Sequence, residues 1–495
     1  MKKGFILVNV LVFGVIAIVV TTSLVNWGAT VLKNTRQLSS REQAFQIAEA
    51  GIDYYRWHLA HSPNDYKDGT ATTTNGPFIH DFEDKDGNVI GQFALTITPP
   101  ITGSTLVKIV SKGTVTEYPS VYRKIQATLA IPSFAKYAVV ANDIMRFGAG
   151  TEVFGPIHSN NGIRFDGVAH NIITSAKDKY IDPDQGTHNP SWYQFGVYTT
   201  DNPTELNQDA TPPTTVPNRT DIFMAGRQFP VAAVDFNGIT ADISQMKTNA
   251  IANGKYLAAS GAQGYHIVFK TNDTYDVYTV NNIQSAPNGC DTDGTTGWGI
   301  WSIRVNNSGN IVNYPTSNYS QTLLGNYPNP ANGTIFVEDN VWVDGQINGA
   351  RITLVAARFP DTGTRPNIIV NSNLLYTNYD GTDVIALISQ GNFTTGLISS
   401  DTLRIDAAII AQNGRTGRFY YNSSCKVNGV NYYNRNSITL YGMIGSNLRY
   451  GFAYTDGTGY DIRNIIYDGN LLYAPPPSFP LTSDQYTTIS WEEIK

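Results

Sequence analysis

Residues Phe5 to Trp27 read FILVNVLVFGVIAIVVTTSLVNW, a run without a single charge. Coiled as an α-helix at about 1.5 Å per residue, the run is long enough to cross the ~30 Å hydrocarbon core of a bilayer. Lys2 and Lys3 stand before it, and their positive charge orients that end toward the cytoplasm. A secretory signal would have a shorter apolar core and a small-residue cleavage site behind it. Here Ala29 and Thr30 follow and the helical pattern continues. From Leu32 to His61 the chain reads LKNTRQLSSREQAFQIAEAGIDYYRWHLAH, with no proline. Leu38, Phe45, Ala48, Ile52, Tyr55 and Leu59 recur at the amphipathic helical period. Ser62-Pro63-Asn64-Asp65 then stops the pattern. The reading is one helix over 5–61, spanning a membrane at 5–27 and needing a packing partner for its second half.

These residues resemble the N-terminal region of type IV minor pilins and pseudopilins. Gly4-Phe5 resembles their class III leader junction. The resemblance implies that 1–4 is a leader cut by prepilin peptidase and that Phe5 becomes the N-methylated terminus. Ala44-Phe45 and Ala48-Glu49-Ala50-Gly51 resemble the AF…AEAG stretch of minor pilins with long C-terminal regions. One position departs from the pattern. Most pilins carry Glu as the fifth mature residue, paired with a neighbour's N-terminal amine, and here that place holds Asn9. A carboxylate in the bilayer is tolerated only when a partner is present. A tip subunit has no partner above it, and tip pseudopilins of type II secretion are neutral there. Asn9 therefore argues for a tip or initiating subunit and against a fibre-building one. The alternative is an ordinary polar residue in a plain membrane anchor.

A chain of 495 residues has room for a stalk and two or three domains. Charged residues make up 15% and the net charge is −6, so no nucleic-acid footprint is expected. The 44 Gly and 29 Tyr point to turn-rich β structure. The fold class expected is α+β, mainly β. Residues 62–133 read as a pilin-like antiparallel sheet, with Asp86-Gly87 as a hairpin signal and Lys112-Gly113 as a break between strands. Short strands ending at Gly or Asn fill 134–174 and return at 331–480, the texture of a parallel β-solenoid. A β-sandwich would give the same local strings. The solenoid is favoured because two-residue hairpin turns do not recur there. Residues 175–330 read as an α+β insertion with its own core, holding a helix near 241–253 and a hairpin of 265–270 against 276–280. After Pro475-Pro476-Pro477 the segment 481–495 reads as a tail lying back on the body.

Chemistry is sparse in the sequence. No phosphate loop, nucleophile elbow or zinc spacing occurs, no catalytic residue is assigned and no cofactor is called for. Asp84 with Asp86, and Asp291 with Asp293, place oxygens close enough for Ca²⁺, but neither loop has the closing Glu, and turn chemistry accounts for both. His158 beside Ser159 lacks an acid partner in the sequence. His58 and His61 lie one turn apart without a third ligand. Asp401, Arg404 and Asp406 form the one cluster resembling a polysaccharide-cleaving site, and a solvated strand face is the plainer reading. Tyr432, Tyr433 and Trp342 read as exposed rings that could stack on surface glycans. Cys290 and Cys425 are the only cysteines. In an oxidising compartment a bridge between them would stabilise by roughly 5 kcal/mol, and two separate thiols fit the sequence as well.

The expectation is a minor type IV pilin-like subunit, anchored in the cytoplasmic membrane with its body outside and later moved to a pilus at the cell surface. Its partners would be other pilins or pseudopilins, prepilin peptidase and the inner-membrane assembly platform. Its roles would be filament initiation and adhesion. Two alternatives stand beside it. One is a pseudopilin of a type II secretion or DNA-uptake system, and the other is a membrane-tethered β-helix enzyme acting on carbohydrate.

Overall fold

The computed structural model describes residues 3–185, 192–236, 238–290, 301–482 and 484–494. The chain forms two compact units. One comprises Met1–Pro100, Thr105–Ile131 and Asp484–Lys495, and the other Ile101–Ser104 and Pro132–Ser483.

The first unit is built on α1, Lys3–His61, about 90 Å long at the helical rise. No proline interrupts it. In its apolar half the hydroxyls of Thr21, Thr22 and Ser23 donate to the carbonyls four residues back, which satisfies them without water. In its second half Ala44, Ile47, Ala48, Ile52, Tyr55 and Leu59 are buried. They pack on Phe93, Leu95, Ile97, Ile109, Ile125 and Leu129 of an antiparallel sheet. Strands β1 (Phe78–Glu83), β2 (Val89–Thr98), β3 (Val107–Val115) and β4 (Tyr118–Ala130) follow one another across that sheet. Alternation along β2 and β3 turns one face to the helix.

Three sequence readings change here. Leu38 is exposed and Phe45 only half-buried, because the contact stripe is phased by the small residues Ala44, Ala48 and Gly51. Lys112-Gly113 is not a break, for β3 runs through it. A Cβ on Gly113 would collide with the backbone of Ala44 and Ala48, and one on Gly51 with Ser111 and Phe93. Both glycines serve close helix–sheet approach rather than turning the chain. The tail does not lie back on the body either, because its strand joins the N-terminal sheet. Thr487–Ile494 pairs antiparallel with β4 as the fifth strand. Trp491 meets Phe45 edge-on at 5.8 Å, and Gln126 donates to Glu492 at 2.8 Å. Two adjacent Glu residues hid a strand whose partner supplies Arg123 and Gln126.

The second unit is a body of parallel strands stacked coil on coil, solenoid-like rather than a sandwich. In register across the stack run Ile335, Leu354, Leu387, Ile409, Ile444, Val139, Ile157 and Ile173. Each is almost wholly buried, so one aliphatic ladder fills the interior. The neighbouring positions Phe336, Val355, Ile388, Ile410 and Val140 face the other way, onto α2 (Gly238–Asn253) through Ile243, Met246 and Ala250.

The stack does not follow the chain. It is entered at its middle, where Val139 pairs beside Ile444. Successive strands build outward to Arg227–Gln228. The chain then passes α2 and restarts at Lys255–Leu257, beside Thr334–Val337, to build back toward the entry point. Residues 175–330 are therefore not an insertion with a separate core. Leu257, Ile267, Phe269 and Val277 share one core with Ile335 and Leu354. The hairpin of Gly264–Phe269 and Thr274–Val280 does form, and its first strand also joins the ladder beside Val341. Periodicity shows strands but not which distant strand completes a coil. Entry and exit lie together, as Ser133 bridges Leu481 and Thr482 donates to the Pro132 carbonyl.

Truncating the ladder where the two chain segments meet should be costly. Ile444→Ala is expected to lower the stability of the body by about 2–5 kcal/mol, read as an earlier urea midpoint with an unchanged slope.

Candidate functional site

The residues singled out in the body divide sharply on inspection of their surroundings. Asp406 is fully buried. Its Oδ2 accepts from the Tyr376 amide at 3.0 Å and the Tyr379 hydroxyl at 2.7 Å, and its Oδ1 from Arg404 Nε at 2.9 Å. It is neither on a solvated face nor open to a substrate; it ties neighbouring coils together. Asp401 is apart from it, largely exposed and accepting from the Asn436 amide. Trp342 is buried, contrary to the reading of an exposed ring, while Tyr432 and Tyr433 are half-buried against the same cluster. Trp342 points away from the interior that Val341 and Val343 fill and is covered on the other face by the cluster of Trp301, Phe419 and Tyr421. His158 is buried between Thr174 Oγ1 at 2.9 Å and Asn160 Oδ1 at 3.0 Å, and burial pulls its pKa down.

Asp84 spends its carboxylate on the β1–β2 turn, accepting from the amides of Asp86 and Asn88 at 2.9 Å each. Asp86 is exposed and lies 3.2 Å from Lys85. Asp291 and Asp293 lie outside the described residues, as do Met1 and Lys2. Cys290 and Cys425 are joined in a disulfide with a Cα separation of 4.4 Å, beside Trp301, Phe419 and Tyr421. One feature of the body had no sequence signal. Asp184 binds both Arg449 and Arg146 at the side of a wide polar groove, and 265 residues separate Asp184 from Arg449.

The other candidate surface is the first half of α1. Lys3 and Gly4 stand in its first turn. Phe5 is 75% exposed, Trp27 68% and Leu38 64%, and Asn9 is exposed too. A continuous apolar surface of this size needs lipid or other subunits to cover it. The same helix continues into a half clamped on an antiparallel sheet. A long apolar helix with its second half packed on an antiparallel sheet is the architecture of the N-terminal unit.

No family model matches the chain, and no curated protein matches it. Among solved structures it is similar to the crystal structure of the competence-associated pilin ComZ from Thermus thermophilus. The two are 14% identical with a TM-score of 0.31, over 92% of this chain and 97% of that one.

In the N-terminal unit the segment after α1 is pinned by acid–imidazole pairs. Asp65 accepts from His58 at 3.0 Å and from the amides of Lys67 and Gly69. Asp68 meets His80 at 2.6 Å and the Tyr54 hydroxyl at 3.1 Å. Tyr486 reaches Tyr66 at 3.2 Å and the Pro63 carbonyl at 3.1 Å. Desolvation raises the Asp65 pKa, but the two amides and His58 outweigh it and hold the carboxyl below its ordinary 3.8. A depressed carboxyl stabilises the fold above its unfolded pKa and loses that contribution as pH falls through the folded one. Amide protection over 65–70, corrected for intrinsic exchange, should therefore fall on acidification below 3.8. Asp65→Asn should lower that protection already at neutral pH. In the body, Asp406→Ala leaves the buried Tyr376 amide without its acceptor and should cost roughly 1–3 kcal/mol, seen as a lower melting temperature.

Proposed function

We propose that the chain is a minor pilin-like subunit, carried at the tip or flank of a type IV pilus, where it helps initiate the filament and contacts surfaces. The observation that carries this reading is the helix itself. Its first half is free and apolar from Phe5 onward, and its second half is sequestered by its own sheet. Such a subunit can wait in a bilayer and then exchange lipid for neighbouring helices, since both environments bury the same surface. The body of 132–483 is too bulky to recur along a packed fibre, which favours a position at the end or side.

On this reading Gly4-Phe5 is the junction cut by prepilin peptidase, Phe5 is N-methylated, and Lys2 and Lys3 hold the leader in the cytoplasm until then. Asn9 at the fifth mature position suits a subunit with no neighbour above it. The partners are other pilins and the assembly platform in the inner membrane. Surface location follows assembly. The carbohydrate-cleaving alternative loses its best residue, because Asp406 is consumed by hydrogen bonds inside the stack.

Mass spectrometry of the protein from sheared surface fibres tests the proposal. A methylated N-terminus at Phe5, with immunogold label at filament ends or as sparse lateral dots, is expected. An intact Met1, or protein absent from the fibres, would reject it.

A further inference from the structure

Along one side of the body the segment 448–461 stands opposite 146–151 and 199–201, and a groove of about 1070 Å³ opens between them. Its walls are fixed. Arg449 binds Asp184, which also holds Arg146 at 3.4 Å. Gly451 donates to the Thr416 carbonyl at 3.1 Å and accepts from the Arg418 amide at 2.8 Å. The turn at Tyr454–Thr458 is closed by Asp456, which accepts from the Thr458 amide and hydroxyl, and Gly457 sits at φ +81°, a left-handed position that favours glycine. Tyr450 and Phe452 are buried beneath, and half-buried Tyr454 lies at the groove, 5.2 Å from Tyr420. The space exceeds that of a typical small-molecule pocket, which suits a chain of several units.

Charge decides what kind of chain. The guanidiniums are occupied: Arg463 by the carbonyls of Tyr460 and Asp461, Arg415 by that of Gly451, and Arg146 and Arg449 by Asp184. Asp166, on the groove wall, is held by Arg164 at 2.7 Å. At the rim stand half-buried Asp143 and the exposed carboxylates of Asp201 and Asp461. Among the described residues five aspartates and four arginines line the groove, with Arg164 paired behind Asp166, so it carries no excess of positive charge to attract a polyanion. It does offer rim oxygens that accept from hydroxyls, and a ring for stacking.

We propose that this groove binds a neutral oligosaccharide chain, with Asp201 and Asp461 accepting from sugar hydroxyls and Tyr454 packing on a sugar face. This deepens the surface-contact reading above and rests on it for its biological setting, but its test is independent of filament assembly. The full chain, purified in dodecylphosphocholine to avoid sugar detergents, is titrated calorimetrically with cellohexaose, chitohexaose, hexagalacturonate and an oligothymidylate. One of the two neutral chains should bind, with an affinity insensitive to salt. The acidic sugar and the oligonucleotide should bind at least about tenfold more weakly. Asp201→Ala combined with Asp461→Ala should weaken the neutral chain by about tenfold or more while leaving the circular dichroism unchanged. Tyr454→Ala provides a second variant, one that retains both carboxylates, and should weaken it as well. Binding of neither neutral chain, preference for a polyanion, or wild-type affinity in both variants would overturn the proposal. Loss of fibre incorporation would instead count against the pilin-like role alone.

Discussion

The body is held by one repeated contact: an aliphatic side chain resting on its counterpart one coil away. No coil can bury its inward residue alone, so each strand depends on two others often far off in sequence. Ile444 over Val139 is the decisive instance, because there the late strands of the body close onto its first. Asp406 adds a polar version of the same tie, joining Tyr376 and Tyr379 to the strand of Arg404. Arg418 does likewise, fully buried, donating to the carbonyls of Gly396 and Tyr432 and lying 4.9 Å from the ring of Tyr421. Carbonyls and an aromatic face replace the missing carboxylate.

Much of the N-terminal unit was legible because its signals are local. A charge-free run, a helical period and an antiparallel sheet with close strands can each be read within a short window. The phase of the helix was misread by its large residues. Leu38 and Phe45 attract attention, but the contact is set by Ala44, Ala48 and Gly51, where the absence of bulk allows approach. The same logic explains Gly113, which looks like punctuation and acts as clearance.

The body was legible as texture and not as order. Strand length and the Gly and Asn breaks indicate stacking, whereas the route through the stack depends on pairings such as Ile335 with Leu354 and Leu257 with Val337. The segment around α2 therefore looked self-contained when its strands complete the common core. Candidate chemistry fared according to burial, which a single sequence does not give. Asp406 resembled a reactive carboxylate and is sealed in, and Trp342 resembled an exposed ring and is packed. The groove beside Asp184 and Arg449 left no trace, since its walls come from segments far apart in sequence.

That doubling back imposes an order on folding. As the polypeptide emerges, Val139, Ile157 and Ile173 can pair with one another, but the strand that must flank Val139 is made about three hundred residues later. Until then one flank of the nascent stack offers unsatisfied amides and carbonyls to any passing strand. Maturation thus ends with a docking step rather than a growing tip, and the half-built intermediate is the form most in need of protection from aggregation.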